Sequence, residues 1–498
     1  MPGCHRSSIP ADARRGACAF ILLAVLLPLD TFASIHHRLA VQVHAESGEI
    51  SVVDEVALDT PRVFSLADSL AVAVEGGRLT RMGSPAPGIA DYRLEPDGPG
   101  PVVISYSGPI AAGEADMFGM PQAVIDGKGA FLDASSGWYP LFREDVLTFE
   151  LIVTLPADWQ IVGQGRIEPV GDNRFRIAPG TPQEDIYLLA GPYTRYAEDE
   201  GAHPLAVYLL QPDEELARSY LDAMTAYLAF YEDLIGDYPH HGFFVVENRW
   251  QTGYGMPGFT LLGSRVLRLP FLLRTSLPHE LVHNWFGNGV YIDARNGNWS
   301  EGLTAYLADY LIKVGDGKGE EYRRRSLARY TDFARGGRET AVADFRSRHS
   351  DASQAVGYDK VVLLVHMLRR QLGDQAFLDG LRRFYQDYRY RRAGFMDLLR
   401  SFRGDGYDPE GFFATWVARA GAPGLRLFDA TSTAVDGGYS LSVALEQVQP
   451  GAPYPLRVPA YVTLDGEPQA RLVELDLDAR TRRFKLEFRT RPLRVDVD

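Results

Sequence analysis

The stretch SLPHELVHNWFGN, residues 276–288, constrains this chain more than any other. It sets His279 and His283 four residues apart, with Glu280 following the first. On a helix, residues i and i+4 project from one face, so both imidazoles can reach one tetrahedral ion. Glu280 lies one step around that helix, too offset to be a ligand and well placed to act as base on a water beside the ion. Ser276 suits the N-cap, and Pro278 is tolerated in the first turn, where a missing N–H costs little. Such a site needs a third ligand. Glu301, in GNWSEGLTAYLADYL (297–311), stands at the head of the next predicted helix and offers that carboxylate, leaving a fourth position for water. An acidic residue also suits a helix N-terminus on electrostatic grounds alone. The expected cofactor is one zinc ion.

The flanking sequence predicts a multidomain α+β protein. From 34 to 199, short alternating runs broken by Gly and Pro (HRLAVQVHA, EISVVDEVAL, LTFELIVTLP) read as an all-β domain. From 200 to 430 the pattern changes. Leu216, Tyr220, Met224, Tyr227 and Tyr231 mark a helix face closed by Gly236, and GFFVVEN (242–248) reads as a strand. Leu303, Tyr306, Leu307, Tyr310 and Leu311 mark another helix face, as do Phe377, Leu381, Phe384 and Tyr388. Strands return over 431–498, enough for a small β-sandwich.

Composition narrows the function. A net charge of −14 argues against a nucleic-acid partner. The only two cysteines, Cys4 and Cys18, fall in a leader. There Arg14 and Arg15 precede an apolar run (17–29) too short to span a bilayer, and Ala33 ends a tolerable cleavage site. Residues 1–33 are therefore expected to be a signal peptide, and the mature chain to be exported to the periplasm or medium without disulfides or a membrane span. Among the other histidines, His240 and His241 read as solvated loop residues, His366 as a packing residue, and His36, His37 and His44 as strand residues without a ligand-like partner. The arginine-rich runs EYRRRSLARY and YRYRR read as solvated helix faces.

The motifs together resemble the zinc metallopeptidases of the aminopeptidase N and leukotriene-hydrolase type, within the gluzincins. His279, Glu280, His283, Trp285 and Gly287 follow the family's H-E-x-x-H-x-W-x-G pattern, and Glu301-Gly302 its downstream E-G. The segment between His283 and Glu301 is one residue shorter than the family's usual spacing. GYDKVVLLVHML (357–368) is similar to the family's Y-x-K segment. The resemblance implies a thermolysin-like α/β catalytic domain between two β-domains, and a peptide substrate. It implies that Tyr358 hydrogen-bonds the developing oxyanion while Glu280 takes a proton from the attacking water and returns it to the leaving amine.

One family element departs. Aminopeptidases of this type carry G-x-M-E-N, whose glutamate pairs with the substrate's α-amine. In TGYGMPGFTLLG (252–263), Gly255 and Met256 align with the x-M of that motif, Pro257 stands in place of the glutamate, and Gly258 replaces the asparagine. Proline offers neither an anionic side chain nor a backbone N–H. Gly255 and Met256 are still expected to border the substrate, because a glycine-rich strand admits close approach of a peptide backbone. Glu247, in VVENRW, is a candidate replacement anchor, although a charged residue at a strand end has a simpler explanation. The expected function is zinc-dependent peptide hydrolysis with altered recognition of substrate ends. The alternatives are a zinc endopeptidase or non-peptide hydrolase on the same scaffold, or a non-catalytic peptide-binding protein of the cell envelope. An intact Glu280 argues against the last.

Overall fold

The computed structural model describes residues 35–116, 119–142, 146–334 and 339–498. The expected signal peptide, with Cys4, Cys18 and the cleavage site after Ala33, lies outside the described residues. Among the described residues, no helix is long and apolar enough to cross a membrane.

The first tier is all-β. A seven-stranded sheet is built around His36–His44, which pairs antiparallel with Glu49–Leu58 and parallel with Thr148–Thr154. Burial along His36–His44 alternates strictly, as a half-buried strand requires. Two four-stranded sheets complete the tier, and one buried cluster draws on all three, including Leu39, Val52, Leu66, Ile104, Leu132 and Leu151. The expectation for His37 needs correction. It points inward at 1% exposure, and its Nδ1 lies 2.7 Å from Asp54 Oδ2, which is also buried. A buried polar ring needs such a partner, and period-2 counting could not identify one on the neighbouring strand.

The middle tier carries the expected sheet and helices. Strands β1 (Leu205–Leu209), β2 (Phe243–Asn248), β3 (Gly253–Met256) and β4 (Phe259–Gly263) join Thr194–Glu198 in one sheet, in the order Thr194–Glu198, β1, β2, β4, β3. The sheet therefore begins before residue 200. Pairs β1–β2 and β2–β4 are parallel, and β3 is an antiparallel edge strand. Helix α1 (Glu214–Ile235) supplies the crossover from β1 to β2. Asp213 caps it by accepting the Leu216 N–H at 3.0 Å, Glu214 and Glu215 suit its positive end, and Gly236 ends it at φ 129°. Tyr220, Met224, Leu228 and Tyr231 of α1 enter the same core as Leu281, Trp285, Leu303 and Leu307.

Beyond the sheet come α2 (Ser276–Val282) and α3 (Ser300–Thr304), the latter continuing through a π-helical stretch (Ala305–Tyr310) into Leu311–Gly315. Helix α4 (Gly319–Ala334) follows. A second π-helical stretch (Ala355–Lys360) leads into α5 (Val361–Leu372), and α6 (Asp374–Tyr388) packs beside it. The last tier is two three-stranded sheets closing on Leu441, Val443, Val458, Ala460 and Leu475. Its first strand, Leu425–Val435, starts before residue 431.

Candidate active site

Helix α2 is amphipathic across a very short span. Leu277, Pro278, Leu281 and Val282 are buried in the core, which leaves His279, Glu280 and His283 on the open face. Ser276 does not cap it. Thr275 precedes the helix without a side-chain cap bond, its hydroxyl donating to Phe271 O at 3.1 Å instead. The preceding Pro270–Arg274 turn feeds straight into α2, so the chain is already coiled where the cap was expected.

Helix α3 brings Glu301 to the same point. Glu301 Oε2 lies 3.3 Å from His283 Nε2 and 3.8 Å from His279 Nε2. One donor atom from each of the three residues lies within 4.8 Å of the others. Ligands about 2.0–2.1 Å from a tetrahedral zinc ion stand roughly 3.3–3.5 Å apart, so the two separations from Glu301 fit zinc to within a few tenths of an ångström. Burial alone would raise the pKa of Glu301, but the His283 charge and hydrogen bonds from His279 and His283 hold it well below the usual range. It is an ionised carboxylate, as a ligand must be.

The rear nitrogens of both imidazoles are engaged. His283 Nδ1 is 3.2 Å from Phe286 O, with Ser300 Oγ at 3.3 Å and Thr304 Oγ1 at 3.4 Å. His279 Nδ1 is 3.3 Å from Asp309 Oδ2. Asp309 owes that position to the π-helical stretch. At about 100° per residue, the residue seven beyond Glu301 returns to its face and the eighth overshoots by about 80°. A π turn inserts one extra residue, so Asp309 takes the place that a regular helix gives to Ala308. Replacing Asp309 with asparagine is expected to weaken zinc binding about 10–100-fold. Competition with a chromogenic chelator measures this without any substrate.

Glu280 sits beside the donor cluster. Burial raises its pKa, the two imidazoles oppose that, and the net shift is upward. A carboxylate moved toward working pH is a better proton shuttle than an ordinary one. Tyr358 lies in the second π-helical stretch. Its ring is parallel to that of His279, 6.4 Å away at 11°, with Phe345 edge-on at 6.1 Å. Burial first, then the Glu301 carboxylate, push the phenol well above its ordinary pKa, so it remains a donor. Behind it Asp359 binds Arg329, and Lys360 Nζ donates to Gly421 O at 2.8 Å.

Strand β3 closes the site from the sheet side. Gly263 N–H donates to Thr252 O at 2.9 Å, so antiparallel alternation directs the main-chain groups of Gly253 and Gly255 away from β4. A Cβ on Gly255 would stand 2.7 Å from Glu280 Oε2 and 3.4 Å from His283 Cβ, so a side chain there would displace the Glu280 carboxylate. Met256 is placed differently. With Tyr254 it packs against Phe244, Val246, Phe259 and Leu261, so its side chain serves the sheet and not the cleft. Pro257 and Gly258 form the β3–β4 turn, with Gly258 at φ 82°, as a Pro-Gly turn requires.

The replacement anchor is not available. Glu247 is 2% exposed, and its carboxylate accepts from Arg268 Nη1 at 2.7 Å and Leu210 N–H at 2.8 Å. In the arginine-rich run, Arg324 and Arg325 pair with Glu320 and Glu321 on an exposed face, while Arg323 and Arg329 hold Tyr310 and Asp359. His366 contacts the Tyr310 hydroxyl at 3.2 Å, a packing role.

His240 is not solvated. It is buried with Nε2 unpartnered, and burial aided by Arg389 pushes its pKa down to about 3. Unfolded, it takes a proton below about 6.5, whereas folded it stays neutral until about pH 3. Between those values the unfolded chain binds more protons, so stability falls as pH drops, by up to about 1.4 kcal/mol per unit. His240→Phe is expected to flatten this slope. Urea midpoints at pH 7 and pH 4.5 should separate less in the variant than in the wild type.

Comparison with known proteins agrees with this geometry. Residues 273–416 match the model of the peptidase family M1 domain. The alanine/arginine aminopeptidase of Saccharomyces cerevisiae is 25% identical over 58% of this chain and 37% of its own length. Aminopeptidase N of Lactococcus lactis is 28% identical over 29% of this chain and 18% of its own. The chain thus spans little more than a third of the length of such curated relatives, or less. The M1 zinc metallopeptidase of Deinococcus radiodurans shares the fold, with a TM-score of 0.58 at 19% identity over 78% of this chain and 94% of that one. A two-domain M1 zinc metallopeptidase gives 0.61 at 18% identity over 78% of this chain and 95% of that one. Residues 273–416 thus carry a match to the peptidase family M1 domain, and the chain as a whole is similar to proteins of the aminopeptidase N type.

Proposed function

We propose that this protein is a zinc-dependent peptide hydrolase whose recognition of the substrate's amino end departs from that of its aminopeptidase relatives. The observation that carries the reading is the convergence of His279, His283 and Glu301 donor atoms within 4.8 Å, on the open face that also presents Glu280. A zinc ion held by these three residues supplies Lewis-acid polarisation of the scissile carbonyl and acidifies the attacking water. Glu280 takes the water's proton and passes it to the leaving amine nitrogen. The Tyr358 hydroxyl donates to the oxygen on which negative charge develops. Asp309 holds the His279 ring in orientation, and the outer edge of β3 offers main-chain groups to an extended peptide.

The endopeptidase reading has its own support. Pro257 carries no charge to receive an α-ammonium, and Glu247 is neutralised by Arg268. Matched peptides with free and acetylated N-termini, incubated with metal-loaded protein, separate the two when product masses are recorded. Release of single residues from free amines alone identifies an aminopeptidase that works without the glutamate at 257. Internal cuts insensitive to acetylation identify an endopeptidase. No cleavage of either set defeats the proposal.

A further inference from the structure

The geometry points to Asn284 as a positioning residue that fixes the distance between the substrate-bordering strand β3 and the helix carrying Glu280, an inference that rests on the proposed hydrolysis. Asn284 is fully buried immediately after His283. Its Oδ1 accepts the Gly258 N–H at 2.8 Å and the Tyr238 hydroxyl at 3.1 Å, while its Nδ2 donates to Glu280 O at 3.1 Å. Two donors on one side and an acceptor on the other define the amide's orientation. One side chain thereby ties α2, the segment after α1 and the β3–β4 turn together.

The turn is where this chain departs from the family motif. Pro257 gives no N–H, so Gly258 is the turn's donor to the helix. Strand β3 is an edge strand, bonded to the sheet on one side only. Its approach to Glu280 is close enough that a methyl on Gly255 would collide. Asn288 Nδ2 also ties to Gly255 O, at a long 3.4 Å, while Gly258 O accepts the Phe244 N–H at 2.9 Å on the sheet side. With Asn284 truncated, the turn loses its short bond to α2, and β3 can drift from the place where a peptide backbone must lie for Glu280 to serve it.

Three variants test this. Asn284→Ala removes all three bonds. Tyr238→Phe removes one bond to the same oxygen and leaves the turn bond in place. Asn284→Ser restores a short acceptor. We expect Asn284→Ala to lower kcat/KM about tenfold, carried mainly by KM, with zinc stoichiometry unchanged. Tyr238→Phe should stay within about twofold, and Asn284→Ser should recover part of the loss. Hydrogen exchange of the 251–258 segment, followed by mass spectrometry, should quicken in Asn284→Ala and not in Tyr238→Phe. Equal kcat/KM and equal exchange in the two variants would overturn the inference, leaving Asn284 a packing residue. If Asn284→Ala does not fold, the exchange and KM of Asn284→Ser decide instead: no change in either defeats the inference. If the wild type cleaves no peptide, the proposed function fails, while the exchange comparison still reports whether Asn284 holds β3.

Discussion

Glu280→Gln should lower turnover about 10²–10⁴-fold while leaving zinc content unchanged. The substitution keeps the shape of the side chain and removes only its ability to take and return a proton. Glu280 is not among the three residues whose donor atoms converge, so metal binding does not depend on it. Burial has raised its pKa, which means the ionised form is held at some cost to the fold. The glutamine variant should therefore have a thermal midpoint at or above that of the wild type. Kinetics on a cleaved peptide, metal analysis and a melting curve on one preparation test all three statements. A variant that retains more than about a tenth of wild-type turnover would show that another group moves the proton.

The environment of Glu280 also explains why β3 is so poor in side chains toward the helix. Gly253 and Gly255 present only main chain there, and Gly255 already lies at contact distance from the carboxylate. Meanwhile Tyr254 and Met256 turn to the other face and pack, partly buried, against the sheet. The strand divides its labour by the period of two that any strand has. One face stabilises the sheet, and the other approaches the site as closely as an unsubstituted backbone allows.

This division shows how far sequence reasoning reached. His279, Glu280 and His283 were legible because their spacing matches a helix, and Glu301 because the chemistry demanded one more ligand from a nearby helix. The α1 boundaries were legible because Asp213 is a strong start signal and Gly236 a strong stop signal. Asp309 was not, because a count of 3.6 residues per turn places Ala308 on the face of Glu301. Only the π-helical stretch, which that count does not anticipate, restores Asp309 to that face. His37 and Asp54 escaped for a different reason. Their partnership crosses strands, and register is a property of the folded sheet. Asn284 carried no signal of its own, since nothing in a linear string says that a buried amide will find a turn some 26 residues upstream. Met256 shows the opposite error in emphasis. A motif match identified the residue, but the strand's alternation turned its side chain away.

Tyr358→Phe should reduce kcat about 10²–10³-fold with little change in KM. The phenol has two separable parts. Its ring lies parallel to the His279 imidazole and meets Phe345 edge-on, and phenylalanine preserves both contacts. Its hydroxyl is kept protonated by burial and by the Glu301 carboxylate, and phenylalanine removes only that. If Tyr358 merely packs the cleft, the substitution is close to neutral. If the hydroxyl donates to an oxygen that becomes negative during the reaction, its loss is felt in turnover and not in ground-state binding. Zinc content and thermal midpoint should remain near wild type, since all three donor residues and the ring packing are retained. A kcat within about threefold of wild type, with KM and metal content unchanged, would assign Tyr358 to packing and leave the stabilisation of that oxygen to another group.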